Sequence, residues 1–599
     1  MKLSRPYSPH CDNTPLARCA ASTKVASSKY LLSGLSLSAV ARISLLALFT
    51  LTAVPIAFAQ AGQASLEAEA SATKHVQLEG ELEILNKDFN DHSEVSYSLK
   101  QANGEHLHMR FAKDPPTHLL TGDHVQAEGD LSNNTLVLYS GSNVRNGSNK
   151  GSSGSTTTST PPGPLPYTLG PQATLIMLVT FQDNPIQPYT ESDAQTMFSG
   201  KVNDFFVENS YGQTSIVPTV VGWYTIPDSV STCNLVQIAT DAQSAATAAG
   251  VNLANYTRYV YAFPQNNSCG FAGSSYVGGN PSQNWINGNS LDIHVIDHEL
   301  GHGFGLWHAH SLDCGTSTSI CSNGTVVEYG DLVDSMGDPQ TASPDYNAFQ
   351  KERLGWLNSG ASPAITTVSS SGTYTITPYE QGTGPKALKV LKSTDPTTGA
   401  KTWYYLEARQ SVGFDSFLSN SIYYTQNETT GVLFHIGNDG DANSSQLLDM
   451  TPSTSTTSGW WDASLVSGQS FTDSTAGVTI TPTAVNASGA TVEITINGSS
   501  PSSGPLTTSV TTDQSSYLPG QTVGITVAVG SGTSPAAGVG VTATITNPNG
   551  SPTTLKGTTG SAGTASLSYT LSKRARTGTY QVGAATTSSA VADASFTVQ

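Results

Sequence analysis

Residues 298–308 read His-Glu-Leu-Gly-His-Gly-Phe-Gly-Leu-Trp-His. These residue types at this spacing suit metal-assisted hydrolysis. His298 and His302 are four apart, so on a helix both imidazoles project from one face toward a single ion. Glu299, one position past the first imidazole, is placed to take a proton from a water at that ion rather than to bind the ion itself. Gly305 accepts the left-handed backbone that ends a helix and reverses the chain. That reversal returns His308 as a third ligand. Three neutral imidazoles leave one position open, which marks a catalytic rather than a structural zinc, so one catalytic Zn2+ is expected. His310 and Asp313 are rivals for the third place but lack the spacing of His308.

These groups need a helix and a sheet to hold them. The apolar pattern of residues 291–304 supplies the helix. The unbroken run Ala173-Thr-Leu-Ile-Met-Leu-Val-Thr-Phe181 predicts a buried strand, and Tyr259-Val-Tyr-Ala-Phe263 a second. Helical periodicity recurs at 194–208 and 235–249. Together they predict an α/β catalytic domain over residues 167–360, long enough to bury a core of its own.

The histidine pattern, extended by Gly305 and His308 and followed by Met336 in Glu328-Tyr-Gly-Asp-Leu-Val-Asp-Ser-Met-Gly337, resembles the metzincin signature. Further segments narrow the likeness: Cys269-Gly-Phe-Ala-Gly273, Val277-Gly-Gly, Trp285-Ile-Asn-Gly and Asn347-Ala-Phe-Gln-Lys-Glu-Arg-Leu-Gly-Trp356, then Tyr405-Leu-Glu-Ala-Arg-Gln and Leu448-Asp-Met-Thr-Pro. Taken together the chain resembles the gametolysin family of secreted zinc metallopeptidases over roughly residues 165–500. The resemblance implies a metzincin-type catalytic domain in which Met336 forms an apolar floor under the metal. Several metzincin groups carry a tyrosine two residues past that methionine; Asp338 stands there in this chain, so a tyrosine ligand from that position is not expected. Asp297, Glu328, Asp331 and Asp334 are candidates to orient the ligand imidazoles.

The rest of the 599-residue chain divides by composition. Residues 1–59 read as a signal peptide: a basic lead, a mostly apolar run over 43–58, and Ala57-Phe58-Ala59 before a cut ahead of Gln60. Residues 60–145 alternate in short runs, predicting a small β-barrel-like domain in the place of a pro-segment. A cysteine cannot block the metal from there, since none lies between 20 and 232; His106 and His108 are the candidate blockers. Residues 146–166 form a Gly/Ser/Pro linker, the expected point of maturation. Alternation over 361–499 predicts a β-sandwich, 500–505 is a second linker, and 506–599 resembles an immunoglobulin-like module. The fold class is therefore multidomain, an α/β catalytic domain with all-β flanking domains. Asp439, Asp441 and Asn443 have the alternate spacing of a Ca2+ loop but lack its distal acidic ligand.

Cys11 and Cys19 leave with the signal, and Cys233, Cys269, Cys314 and Cys321 remain. They permit three pairings, of which Cys233 with Cys269 and Cys314 with Cys321 is preferred. In an exported protein disulfides outweigh metal ligation. A formal charge of −18 with 12% charged residues argues against nucleic-acid and anionic-membrane partners. The expectation is a secreted, monomeric zinc endopeptidase acting on protein or peptide, with Glu299 as general base. The alternatives are a zinc hydrolase of another cell-wall amide bond, or an adhesion protein whose catalytic domain is incidental.

Overall fold

The computed structural model describes residues 73–89, 92–147, 164–337, 342–419, 427–454, 460, 462–496, 506–531, 534–536, 539–560, 563–586 and 591–599. The signal segment, most of the first linker, all of the second and Asp338 lie outside the described residues.

The N-terminal strands close on themselves. β1 (Lys74–Asp88), β2 (Ser93–Lys100), β3 (His106–Phe111), β4 (His124–Ser132), β5 (Thr135–Leu138) and β6 (Val144–Asn146) are short and alternating, so each has one apolar face to bury. The first half of β1 pairs with β4 and its second half with β2; β3 joins β2 to β5, and β5 returns to β4. The result is a five-stranded barrel filled by Leu82, Ile84, Leu99, Val125, Ala127 and Leu136. Val277, Trp307 and Ala442 from later in the chain belong to the same apolar cluster, so the barrel is packed onto the rest of the protein.

The segment expected to be catalytic is built on β7 (Gly170–Phe181), β8 (Thr214–Ile226), β9 (Arg258–Phe263), β10 (Gly273–Tyr276) and β11 (Ser282–Asn287). Their order is β10-β11-β9-β7-β8. All pairings are parallel except that of β10 with β11. The unbroken apolar run in β7 follows from burial on both faces. Leu175, Met177 and Val179 meet the helix Leu235–Ala248, whereas Ile176 and Leu178 face the helix Ile293–Phe304 and the helical stretch 191–209. That last stretch is α-helical at both ends with one π turn between, at Phe198–Val202. Arg258, almost wholly buried, ties these layers together by donating to the carbonyls of Gly303 and Tyr167 and to the side chains of Gln172 and Ser282.

After residue 360 the chain forms a sandwich of an eight-stranded and a four-stranded sheet sharing one core. The hand-over expected near 360 is not a clean boundary. Strands His310–Asp313 and Thr325–Val327, from before it, complete the eight-stranded sheet through parallel pairing of His310–Leu312 with Gln446–Leu448. A final two-sheet β-sandwich spans 506–599. The protein is thus β-rich throughout. The cysteines pair Cys233 with Cys269 and Cys314 with Cys321. Among the described residues no helix is long and apolar enough to cross a membrane.

Candidate metal centre

The helix Ile293–Phe304 starts at Asp292, whose carboxylate caps the amide of His294, and stops at Gly305. Gly305 has φ 101°, and its amide closes the last turn on Gly301 and His302. The reversal brings His308 alongside His302. Their Nε2 atoms stand 3.1 Å apart, and the His298 and His308 rings are 5.2 Å apart. Each Nδ1 has its own acceptor: Ser335 O for His298 at 2.8 Å, Leu306 O for His302 at 2.9 Å, and Glu328 Oε1 for His308 at 2.5 Å. With Nδ1 engaged as donor, the tautomer is set and all three Nε2 lone pairs face one point.

A fourth donor from the barrel reaches that point. Asp88, the last residue of β1, places Oδ1 2.9 Å from His308 Nε2, and Oδ2 3.4 Å from His302 Nε2 and 3.7 Å from His298 Nε2. Among the described residues these four form the one group of metal-ligating side chains whose donor atoms converge, all within 4.8 Å of one another. Tetrahedral zinc, with bonds of about 2.0–2.1 Å, separates its donors by about 3.3 Å, and the observed separations straddle that value. His298 Nε2 and Asp88 Oδ2 are buried without a hydrogen-bond partner, as two ligand atoms awaiting a cation would be. The residues present therefore fit a zinc ion.

Around these donors the site is closed and strongly coupled. Burial pushes His298 well below the ordinary imidazole range. Burial also opposes charge on His308, but Asp88 and then Glu328 outweigh it and raise the ring to about 9. Glu328, though desolvated, is drawn down to about 2 by His308. Burial and then the Asp88 charge push the Glu299 carboxyl well above its usual range. Glu299 Oε2 accepts from Ser275 Oγ at 2.7 Å. A Cβ at Gly273 would overlap the same carboxyl, so glycine is required on β10 there. Met336 is fully buried with its thioether against Gly301, between the two helical histidines, where any side chain at 301 would collide with it.

Of the four carboxylates proposed to orient ligands, only Glu328 does so. Asp297 accepts from Ser343, Asp331 pairs with His435, and Asp334 receives the amides of Met336 and Asn347. Replacing Glu328 by Ala should weaken metal affinity about 10- to 100-fold, as read by competition with a chromophoric chelator. His310 turns to Asn443 and Glu328, and Asp313 caps Gly315. The candidate blockers His106 and His108 lie on the barrel surface, with His106 bonded to Glu83. The side chains expected to form a Ca2+ loop have separate partners. Asp439 accepts from the Trp403 indole, Asp441 from Thr117, and Asn443 meets His310, so the three side chains diverge instead of enclosing an ion.

Sequence reasoning missed Asp88, Asn86 and Tyr329. Asn86 Nδ2 lies 2.9 and 3.1 Å from the Nε2 atoms of His302 and His308. Tyr329 is held in the left-handed region (φ 54°) with its ring 4.4 Å from that of His308, and its hydroxyl donates to Asp88 at 2.8 Å. Tyr329 lies in the segment 328–337 that carries the family resemblance, and that is the one signal in the sequence that points to it. Nothing local marks Asp88.

Comparison with known proteins finds similarity to a peptidase family in the middle of the chain. Residues 193–427 match the gametolysin peptidase M11 family, and residues 508–598 match the MG2 domain, an immunoglobulin-like module. No curated protein matches the chain. Solved structures with local similarity include the alkylpurine DNA glycosylase AlkC of Pseudomonas fluorescens, at 10% identity over 16% of this chain and 31% of that one (TM-score 0.14). Trypsin-activated alpha-2-macroglobulin of Escherichia coli matches at 13% identity over 23% and 11% (TM-score 0.15). The CARDB domain of the PF1109 protein of Pyrococcus furiosus matches at 16% identity over 16% and 87% (TM-score 0.13). The chain spans less than a third of the first two, and likenesses of this size bear on no activity.

Proposed function

We propose that this protein is a secreted, zinc-dependent endopeptidase with a metzincin-type catalytic core, acting on extracellular or cell-wall protein. The observation that carries the reading is the convergence of three Nε2 atoms, each with its Nδ1 tied to a separate acceptor, beside a buried glutamate. His298, His302 and His308 would hold the ion. A bound zinc supplies Lewis acidity toward a peptide carbonyl and toward water. The chain's own residues do the rest. Glu299 takes the proton of the attacking water at a carboxylate oxygen and returns it to the leaving amine. Ser275 keeps that carboxylate aimed. The Tyr329 hydroxyl, once free of Asp88, is poised to donate to the substrate carbonyl oxygen, where negative charge develops.

With β1 displaced from that edge, backbone groups along β10 would offer a substrate strand its pairing partners. A cavity of about 320 Å³, lined by His294, Val295, His298, Glu299 and Tyr329, lies beside the ligands for a substrate side chain. Stripping the matured protein with a chelator should abolish casein hydrolysis, and one equivalent of Zn2+ should restore it. Full activity in a metal-free sample would eliminate the proposal.

A further inference from the structure

Val76, Leu78, Leu82 and Ile84 tie the barrel's long strand into its core, but the strand's last four residues do something else. Leu85–Asp88 leave one edge of β1 on β2 and lay the other against β10, pairing with Tyr276–Gly273 in antiparallel register. β10 is otherwise the free edge of the catalytic sheet, and it runs past Glu299. β1 therefore fills the strand position that a substrate would need. Its pairing carries Asp88 into the ring of imidazoles, and the surroundings are arranged to keep it there. Asn86, 1% exposed, donates from Nδ2 to Asp88 Oδ1 at 2.7 Å, while its own carbonyl accepts from Ser274 Oγ at 2.5 Å. Tyr329 donates to the same carboxylate. Ser93, on β2, donates to Glu328, the residue that orients His308. Phe89 packs edge-on against Phe271 and lines the cavity next to the ligands.

We propose that Asp88 is the fourth ligand of the metal in the uncleaved chain, so that the barrel locks the catalytic centre by occupying the one position that catalysis needs open. The proposal rests on the metallopeptidase reading and adds its regulation. Three imidazoles and one carboxylate oxygen complete a tetrahedral zinc set. The same carboxylate crowds Glu299 and the Tyr329 hydroxyl, the two groups needed for proton transfer and carbonyl binding. The lock is not a loose tail. Val277 and Trp307 are buried in the barrel core, Trp307 Nε1 donates to Thr117 O, and Val277 exchanges backbone bonds with Ile84 and Thr121. A cut in the linker alone leaves all of these contacts in place, so release requires that the barrel itself dissociate or be degraded.

The test uses the full-length chain loaded with Co2+, whose visible absorption reports its ligands. Three proteins are compared: the unaltered chain, Asp88→Asn and Asp88→Cys. The expected result is an altered visible spectrum and about 10- to 100-fold easier removal of cobalt by chelator for D88N. D88C should show a new near-ultraviolet thiolate-to-cobalt band, a readout that also guards against loss of fold in D88N. D88N should in addition hydrolyse peptide without prior processing. Cobalt bound with unchanged visible spectra in both variants, and no thiolate band in D88C, would overturn the lock while leaving the peptidase reading intact. Failure of all three proteins to bind cobalt at the histidines would overturn both.

Discussion

Glu299→Gln in the active form of the protein is expected to lower kcat for peptide hydrolysis by about 10²-fold or more, with one metal per chain retained and KM little changed. The side chain is buried on the helix that carries His298 and His302, and it accepts from the Ser275 hydroxyl. An amide of the same size keeps that hydrogen bond and the packing against Gly273, so the helix, its histidines and their Nδ1 acceptors stay in place. The loss is confined to the ability to accept a proton at that oxygen. An interaction made only in the transition state lowers kcat and kcat/KM together, which separates this outcome from damage to the cleft. Ser275→Ala removes the aim and not the base, and its effect should be smaller. Steady-state kinetics on one fluorogenic peptide, with metal content measured on the same samples, decides the point. A normal rate in E299Q would remove glutamate from the mechanism.

The contrast between Glu299 and Asp88 shows which parts of this site a sequence can display. His298, Glu299 and His302 lie within five positions on one helix, and Gly305 needs only its own backbone to turn the chain, so their relation is local and legible. Asn86 and His302 are 216 positions apart. Their contact depends on β1 pairing with β10, which no periodicity in either strand announces, and Asp88 reads in isolation like any polar residue at a strand end. The carboxylates near the ligands show the same limit. Four were plausible partners by proximity in sequence, and only the fold decides that Glu328 faces an imidazole while Asp331 faces His435. The alternation of Asp439, Asp441 and Asn443 is real, but Asp441 opens the strand Asp441–Leu448, and in that extended hairpin the side chains separate. The strands shared across the expected boundary near 360 are hidden for a related reason. A turn-rich stretch marks a change of local structure but cannot show that the hairpin of strands 310–313 and 325–327 joins, through 310–312, a strand more than a hundred residues on.

That sharing of strands makes the sandwich part of the catalytic structure, and Arg409 is where its removal would be felt most. The guanidinium is fully buried, pairs with Glu407 at 2.8 Å and Asp415 at 2.7 Å, donates to Asp345 O, and lies over the Tyr379 ring. Glu407 in turn accepts the amide of Ala348 at the start of the helix Ala348–Arg353, and it faces His435, whose other nitrogen reaches Asp331. Asp331 lies in the loop that carries Met336 beneath the metal helix, so one buried charge chain joins the sandwich to the floor of the site. Arg409→Met leaves Asp415 buried without its cation and Glu407 with His435 alone, a loss expected to cost about 3–5 kcal/mol. Against a total of about 5–15 kcal/mol for a typical protein, that should show as a large drop in denaturation midpoint and in metal retention. Neutralising the cluster together, as R409M/E407Q/D415N, should recover part of the loss, because unpaired charge and not missing volume is the cause. The same chain sets the pH window. Burial alone would depress His435, but Glu407 and Asp331 raise it to about 10. Its stabilisation is therefore complete below about pH 6.5 and is lost as pH climbs toward 10. Burial opposes ionisation of Glu407, yet Arg409 and His435 bring it to about 2, so its share is present above about pH 4.3 and fails toward pH 2. His435→Gln should flatten the alkaline limb of the stability curve and, because His435 also helps hold Glu407 down, move the onset of acid loss to higher pH. An unchanged alkaline limb in that variant, or an Arg409→Met protein as stable as the parent, would show that the sandwich merely abuts the site without supporting it.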